Sequence, residues 1–213
     1  MTEGINSGLA EYIRKNIIPM YDCFDGSHDR DHVLTVIDRC MSLADRFGTD
    51  HNMLYTAAAY HDTGLSICRE THHLESGRII RSDVTLAKWF SPEQIEVIAQ
   101  AAEDHRASAA REPRSIYGLI LAEADRTIEP ETIVCRTVRY GLSHYAELDK
   151  EGQWNRALKH LVEKYGEEGY LKLWLKDSPN AEGLESLRAI IRDRSRLRAL
   201  FERFYDKYVN SPK

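Results

Sequence analysis

The chain is short of several things, and each shortage closes off a class of protein. No uncharged apolar run approaches the roughly 18 residues that would suggest a membrane span. Glu3, Glu11, Arg14 and Lys15 interrupt the first stretch, so the apolar segment of a secretory signal is missing, and a cytoplasmic location is expected. The four cysteines, Cys23, Cys40, Cys68 and Cys135, include no C-x-x-C pair. That spacing argues against a zinc ribbon or a redox dithiol and fits reduced cytosolic thiols. With 12 glycines and 6 prolines in 213 residues, low complexity is excluded. Basic surplus is also absent: 29 Lys and Arg against 34 Asp and Glu leave a net charge of -5, so no duplex nucleic acid held by phosphate contacts is expected as a partner.

Strand signals are nearly absent too, and helical periodicity takes their place. From Val33 the apolar positions Val36, Ile37, Cys40, Leu43, Ala44 and Phe47 recur at three- and four-residue steps. Gly48 supplies a stop, and Thr49 or Asp50 a cap for a helix over about 50–61. Ser91-Pro92-Glu93-Gln94 is a capping box with proline at the first helical position. Further helices are expected from about Ser115 to Asp125, from Pro130 past Tyr140, over about 153–165, and as one long charged amphipathic helix carrying Leu184, Leu187, Ile191, Leu197, Phe201, Phe204 and Tyr208. The reading is an all-α protein: a main domain over 1–145 and a C-terminal helical extension over 146–213 packed on the same core. The apolar face of 184–208 is also a surface through which a homodimer could form.

Nine histidines are many for this length, and their positions carry the argument. His61-Asp62 follows directly from the small apolar segment Tyr55-Thr56-Ala57-Ala58-Ala59-Tyr60. A charged pair at the inner end of a buried helix is costly unless something compensates it, and a divalent cation does so economically. His32 opens a helix whose apolar face begins one residue later. His105 falls on the inward face of its helix, seven residues after Ile98, and Asp125 closes Ile120-Leu121-Ala122-Glu123-Ala124. His73 lies twelve residues after His61. Five segments thus each deliver a His or Asp into an apolar bundle, a convergence that favours a metal site over five separately satisfied core groups. Imidazole-rich coordination suits Mn, Fe, Co, Ni or Zn better than Mg.

The order of these pieces resembles a known family. His32 in Asp31-His32-Val33-Leu34-Thr35-Val36, then Ala58-Ala59-Tyr60-His61-Asp62-Thr63-Gly64, then Ala124-Asp125-Arg126 is similar to the HD superfamily of metal-dependent phosphohydrolases, over roughly residues 20–145. The resemblance implies an HD-type helical bundle that hydrolyses a phosphoester or phosphoanhydride bond, in a nucleotide or other small phosphorylated metabolite. It implies His32, His61, Asp62 and Asp125 as ligands of the principal metal. Members with a second metal add histidines between the HD pair and the last Asp. His73 and His105 fall there, with His72 competing for the place of His73; the four-residue step from His73 to Gly77 is the one that resembles the family pattern. On this reading one or two divalent ions activate water, Asp62 bridges them, and His105 takes a proton-transfer role if it is not a ligand.

Three departures narrow the branch. Asp104 stands where cyclic-di-GMP phosphodiesterases of the superfamily carry a second His, and their Gly-Tyr-Pro signature is absent. Leu65 follows Gly64 without the lysine many members place soon after it. Guanidinium forks suit phosphate, and of Arg106, Arg111, Arg114 and Arg126 near the last two ligand segments, Arg106 and Arg114 are the expected substrate contacts. The competing reading is a regulatory or ligand-binding module of the same fold without turnover. The presence of all four principal ligands argues against it.

Overall fold

A computed structural model describes residues 4–24, 28–108 and 111–209, and among these there are helices and loops but no strand. The chain divides into two compact units, Met1–Arg126 and Thr127–Lys213. The boundary read from the sequence, at 145/146, falls nineteen residues later than this division. The cause is the helix α7 (Pro130–His144), which packs against α8 (Lys150–Tyr165), α9 (Ala181–Arg192) and α10 (Arg194–Val209) of the second unit.

The first unit is built around α3 (His51–Tyr60), in which every residue from Met53 to Tyr60 is buried. Its run of alanines lets neighbouring helices approach closely. Around it lie α2 (Arg30–Phe47), α5 (Pro92–Asp104) and α6 (Ile116–Ala124), with α4 (His72–Ser82) against α5 and α1 (Ser7–Asn16) also touching α3. Short 3-10 turns at Ile18–Cys23, Thr63–Ser66 and Val84–Lys88 connect them.

The local signals behave as their chemistry requires. The α2 face Val33, Val36, Ile37, Cys40, Leu43 and Ala44 is buried, while Phe47 stays half-buried at the end. Gly48 ends that helix in the left-handed conformation, φ 61°, which a side chain would resist. Asp50, not Thr49, caps α3 by accepting the Met53 N–H. The Ser91/Gln94 capping box forms with both of its bonds.

In the second unit one expectation fails. The single long helix over 184–208 is two helices, broken at Asp193, whose extended ψ of 89° ends α9. The Asp193 carboxylate then accepts the Arg196 N–H and caps α10, so the short polar side chain offered the backbone a turn in place of a continued helix. Leu184, Leu187, Ile191, Leu197 and Phe201 are buried nonetheless, and Phe204 and Tyr208 are half-buried. Among the described residues no helix is long and apolar enough to cross a membrane.

Candidate metal centre

Three helices of the first unit end at one place. The C-termini of α3, α5 and α6 deliver His61, His105 and Asp125 respectively as the residue directly after the last helical turn. Helix C-termini carry partial negative charge, so their convergence favours a cation. Two helix starts complete the arrangement: α2 brings His32, whose N–H is held by the Asp29 carboxylate at 2.9 Å, and α4 brings His72 at its first position.

Asp62 stands at the middle. Its Oδ2 lies 3.2 Å from His61 Nε2 and 3.6 Å from His32 Nε2; its Oδ1 lies 3.4 Å from His72 Nε2 and 3.5 Å from His105 Nε2. Asp125 Oδ1 is 3.2 Å from His32 Nε2 and 3.6 Å from His61 Nε2, and the two imidazole nitrogens are 3.3 Å apart. The donor atoms of His32, His61 and Asp62 form one close group and those of Asp62, His72 and His105 another, each able to hold a metal ion. Nitrogen and oxygen donors about 2.1 Å from a common ion lie about 3.4 Å apart when arranged tetrahedrally, which is the spacing found.

The histidine orientation fits the same purpose. His61 Nδ1 lies 2.7 Å from the Ala58 carbonyl, His72 Nδ1 2.7 Å from that of Arg69, and His105 Nδ1 2.5 Å from that of Ala102. A carbonyl accepts only from N–H, so Nδ1 carries a proton in all three and the Nε2 atoms point into the cluster. Metal-ligating histidines are typically held this way.

Electrostatics agree. Asp62 is buried, which alone would push its carboxyl up, yet the His61 and His105 imidazoles hold it well below the ordinary range. Burial likewise opposes Asp125, and His32 and His61 hold it far down. Burial works against a charged His61, but Asp62 and Asp125 raise it well above its usual value. Two anionic carboxylates therefore lean on neighbouring imidazoles for compensation, the role a cation takes over. Metal binding at such a site releases protons.

Of the residues expected from the sequence, His32, His61, Asp62, His105 and Asp125 are brought together. His73 is not. His72 takes the place beside Asp62, because successive helix residues point about 100° apart and only one of the pair can face the cluster. The buried Nδ1 of His73 has no hydrogen-bond partner among the described residues, and burial, with the charges of His105 and Arg106, lowers its pKa to about 4. A signal for His72 was present: its four-residue row runs through buried Ser76 to buried Ile80, whereas the row from His73 ends on the charged Arg81.

The arginines divide similarly. Arg114 is engaged elsewhere: it grips buried Asp104 through its Nε at 2.8 Å and its backbone N–H at 2.8 Å, and Glu103 at 2.6 Å. That corrects the expectation of a substrate contact, since these carboxylates already occupy the fork. Arg106 donates to the Glu70 carbonyl at 2.7 Å, and its charge reaches the rings of His72 and His73. Arg39 was not anticipated. Seven residues after His32 on the same face of α2, it donates to the Ala124 and Arg126 carbonyls on either side of Asp125, at 3.4 and 3.3 Å.

Residues 30–128 match the family model of the HD domain. The chain carries an HD domain. All six clustered residues, His32, His61, Asp62, His72, His105 and Asp125, lie within it. The crystal structure of a predicted HD superfamily hydrolase from an uncultured Thermotogales bacterium is similar over 97% of this chain and 95% of that one, at 18% identity and a TM-score of 0.48. No curated protein matches the sequence.

Proposed function

We propose that this HD domain is a divalent-metal-dependent hydrolase of phosphoester or phosphoanhydride bonds in a small phosphorylated metabolite, a nucleotide being the leading class. The observation that carries the reading is the sharing of Asp62, one oxygen facing His32 and His61 and the other facing His72 and His105. A carboxylate so placed suits two ions side by side, with Asp125 completing the first set. A divalent ion bound there would lower the pKa of water and neutralise phosphoryl charge.

The chain's own groups do the rest. The carbonyls of Ala58, Arg69 and Ala102 keep three imidazoles in the tautomer that leaves Nε2 available. His61, Asp62 and His105 are almost wholly buried, whereas His32 and Asp125 keep 23% and 22% of their side-chain surface exposed. Substrate therefore approaches on the His32–Asp125 side. Arg106, at the other edge, offers positive charge to a phosphate that reaches past His72. Where His105 is not a ligand, its Nε2 beside Asp62 is the group placed to move a proton.

The test joins metal analysis to a panel of nucleoside mono-, di- and triphosphates, cyclic nucleotides and dinucleoside polyphosphates, assayed with Mn, Fe, Co, Ni, Zn and Mg. Bound metal and phosphate release that vanish together in Asp62→Ala, with the helical signal retained, are expected. Turnover unchanged in Asp62→Ala sinks the site.

A further inference from the structure

The His-Asp dipeptide leaves α3 in a way that creates a backbone problem, and one side chain solves it. In a continued helix the Asp62 N–H would donate to the Ala58 carbonyl. That carbonyl instead accepts from His61 Nδ1, the bond that turns His61 Nε2 toward the cluster. The Asp62 N–H lies past the end of α3 and donates elsewhere, and the Ala59 carbonyl is left at a buried helix end. Buried backbone groups of this kind need partners.

Tyr21 supplies both. Its hydroxyl donates to the Ala59 carbonyl at 3.0 Å and accepts the Asp62 N–H at 3.2 Å. The side chain is fully buried, its ring centroid 6.3 Å from that of His61 and 5.3 Å edge-on from Phe24. A single hydroxyl thus stands in for the missing turn of helix. It comes from the 3-10 turn Ile18–Cys23, ahead of residues 30–128 where the HD domain match lies.

We infer that Tyr21 is a positioning residue for the metal centre, holding the backbone of Asp62 so that its two oxygens face the two histidine pairs. This rests on the metal-site reading proposed above. It predicts that removing one oxygen atom, outside the matched domain and touching no metal, alters the coordination of the ion.

The experiment titrates the full-length wild type, Tyr21→Phe and Tyr60→Phe with Co(II), recording visible d–d absorption and affinity. Tyr60 is an equally buried tyrosine whose hydroxyl goes to Asp83 at 2.5 Å, so its loss reports a purely structural effect. The expected result is a changed spectrum and affinity about 10- to 100-fold weaker in Tyr21→Phe, the cost typical of groups that orient metal ligands. Tyr60→Phe is expected to melt earlier with the wild-type spectrum and affinity. A wild-type spectrum and affinity in Tyr21→Phe overturns the inference alone; no Co(II) binding by the wild type overturns the metal reading and the inference with it. Should Tyr21→Phe not fold, 3-fluorotyrosine at position 21 keeps the ring and hydroxyl but weakens the acceptor, and an unchanged spectrum and affinity there overturns the inference equally.

Discussion

Replacing Gly64 with alanine should push α4, and His72 with it, away from Asp62. The glycine is required for space: its φ lies outside the positive range, but a Cβ built on it would sit 2.0 Å from the His72 carbonyl oxygen, 2.6 Å from the Ser76 nitrogen and 2.8 Å from the Glu75 Cβ. Two of those three atoms are backbone and cannot rotate aside. Ordinary contact needs about 3.5 Å, so the first turn of α4 must withdraw by about 1.5 Å. The same movement stretches the buried bond from the Gly64 N–H to Ser76 Oγ, now 2.9 Å. Overpacking of this kind costs about 1–3 kcal/mol, and a weakened buried hydrogen bond adds about 1 kcal/mol, for a combined loss of about 2–4 kcal/mol. His72 Nε2, 3.4 Å from Asp62 Oδ1, would retreat beyond the reach of a shared ion. Urea unfolding reads the stability, and metal stoichiometry after reconstitution reads the site: the expectation is a lower midpoint at unchanged slope and loss of one bound ion before the other. A Gly64→Ala protein within about 0.5 kcal/mol of wild type, with full stoichiometry, would refute this packing and the placement of α4 that rests on it.

Other outcomes follow from the same geometry. His72→Ala should lower the metal content measured by elemental analysis, whereas His73→Ala should leave it unchanged. Arg114→Ala should cost about 2 kcal/mol in urea unfolding, because buried Asp104 and Glu103 lose charge-assisted bonds, while KM for any substrate found stays as in wild type. Burial opposes ionisation of Asp83, but the Tyr60 and Tyr12 hydroxyls that it accepts hold its pKa below the ordinary carboxylate value. The folded state therefore binds this proton less readily than the unfolded chain. Its contribution is present above about pH 4 and is lost as pH falls further, through the folded pKa. Asp83→Asn should accordingly destabilise the protein near neutrality and flatten the acid limb of stability measured by urea unfolding from pH 7 to pH 3.

Much of the molecule was legible because its signals are local. Caps at Gly48 and Ser91, and the three- and four-residue apolar steps of α2, depend on neighbours within one turn, so sequence alone identifies them. A nearly uncharged segment ending in His61-Asp62 could be recognised as a buried helix end, and charges at buried ends need compensation. That reasoning reached five of the six clustered residues. It missed where local signals compete: Asp193 chose a cap over a continued helix, and His72 and His73 differ only by the phase of α4 against α5.

What the amino-acid order determined by itself, then, was the helical class, the main helix ends and the chemistry of the groups placed there. Tertiary packing decided which groups meet. Asp62 is shared between two histidine pairs only because α2, α3, α4 and α5 bring residues 32, 61, 72 and 105 to the same point. Arg114 is engaged by Glu103 and Asp104 because it lies against the end of α5. Tyr21 reaches the end of α3 across some forty residues of chain, with no motif to mark it, and its one hydroxyl meets a buried N–H and a buried carbonyl there.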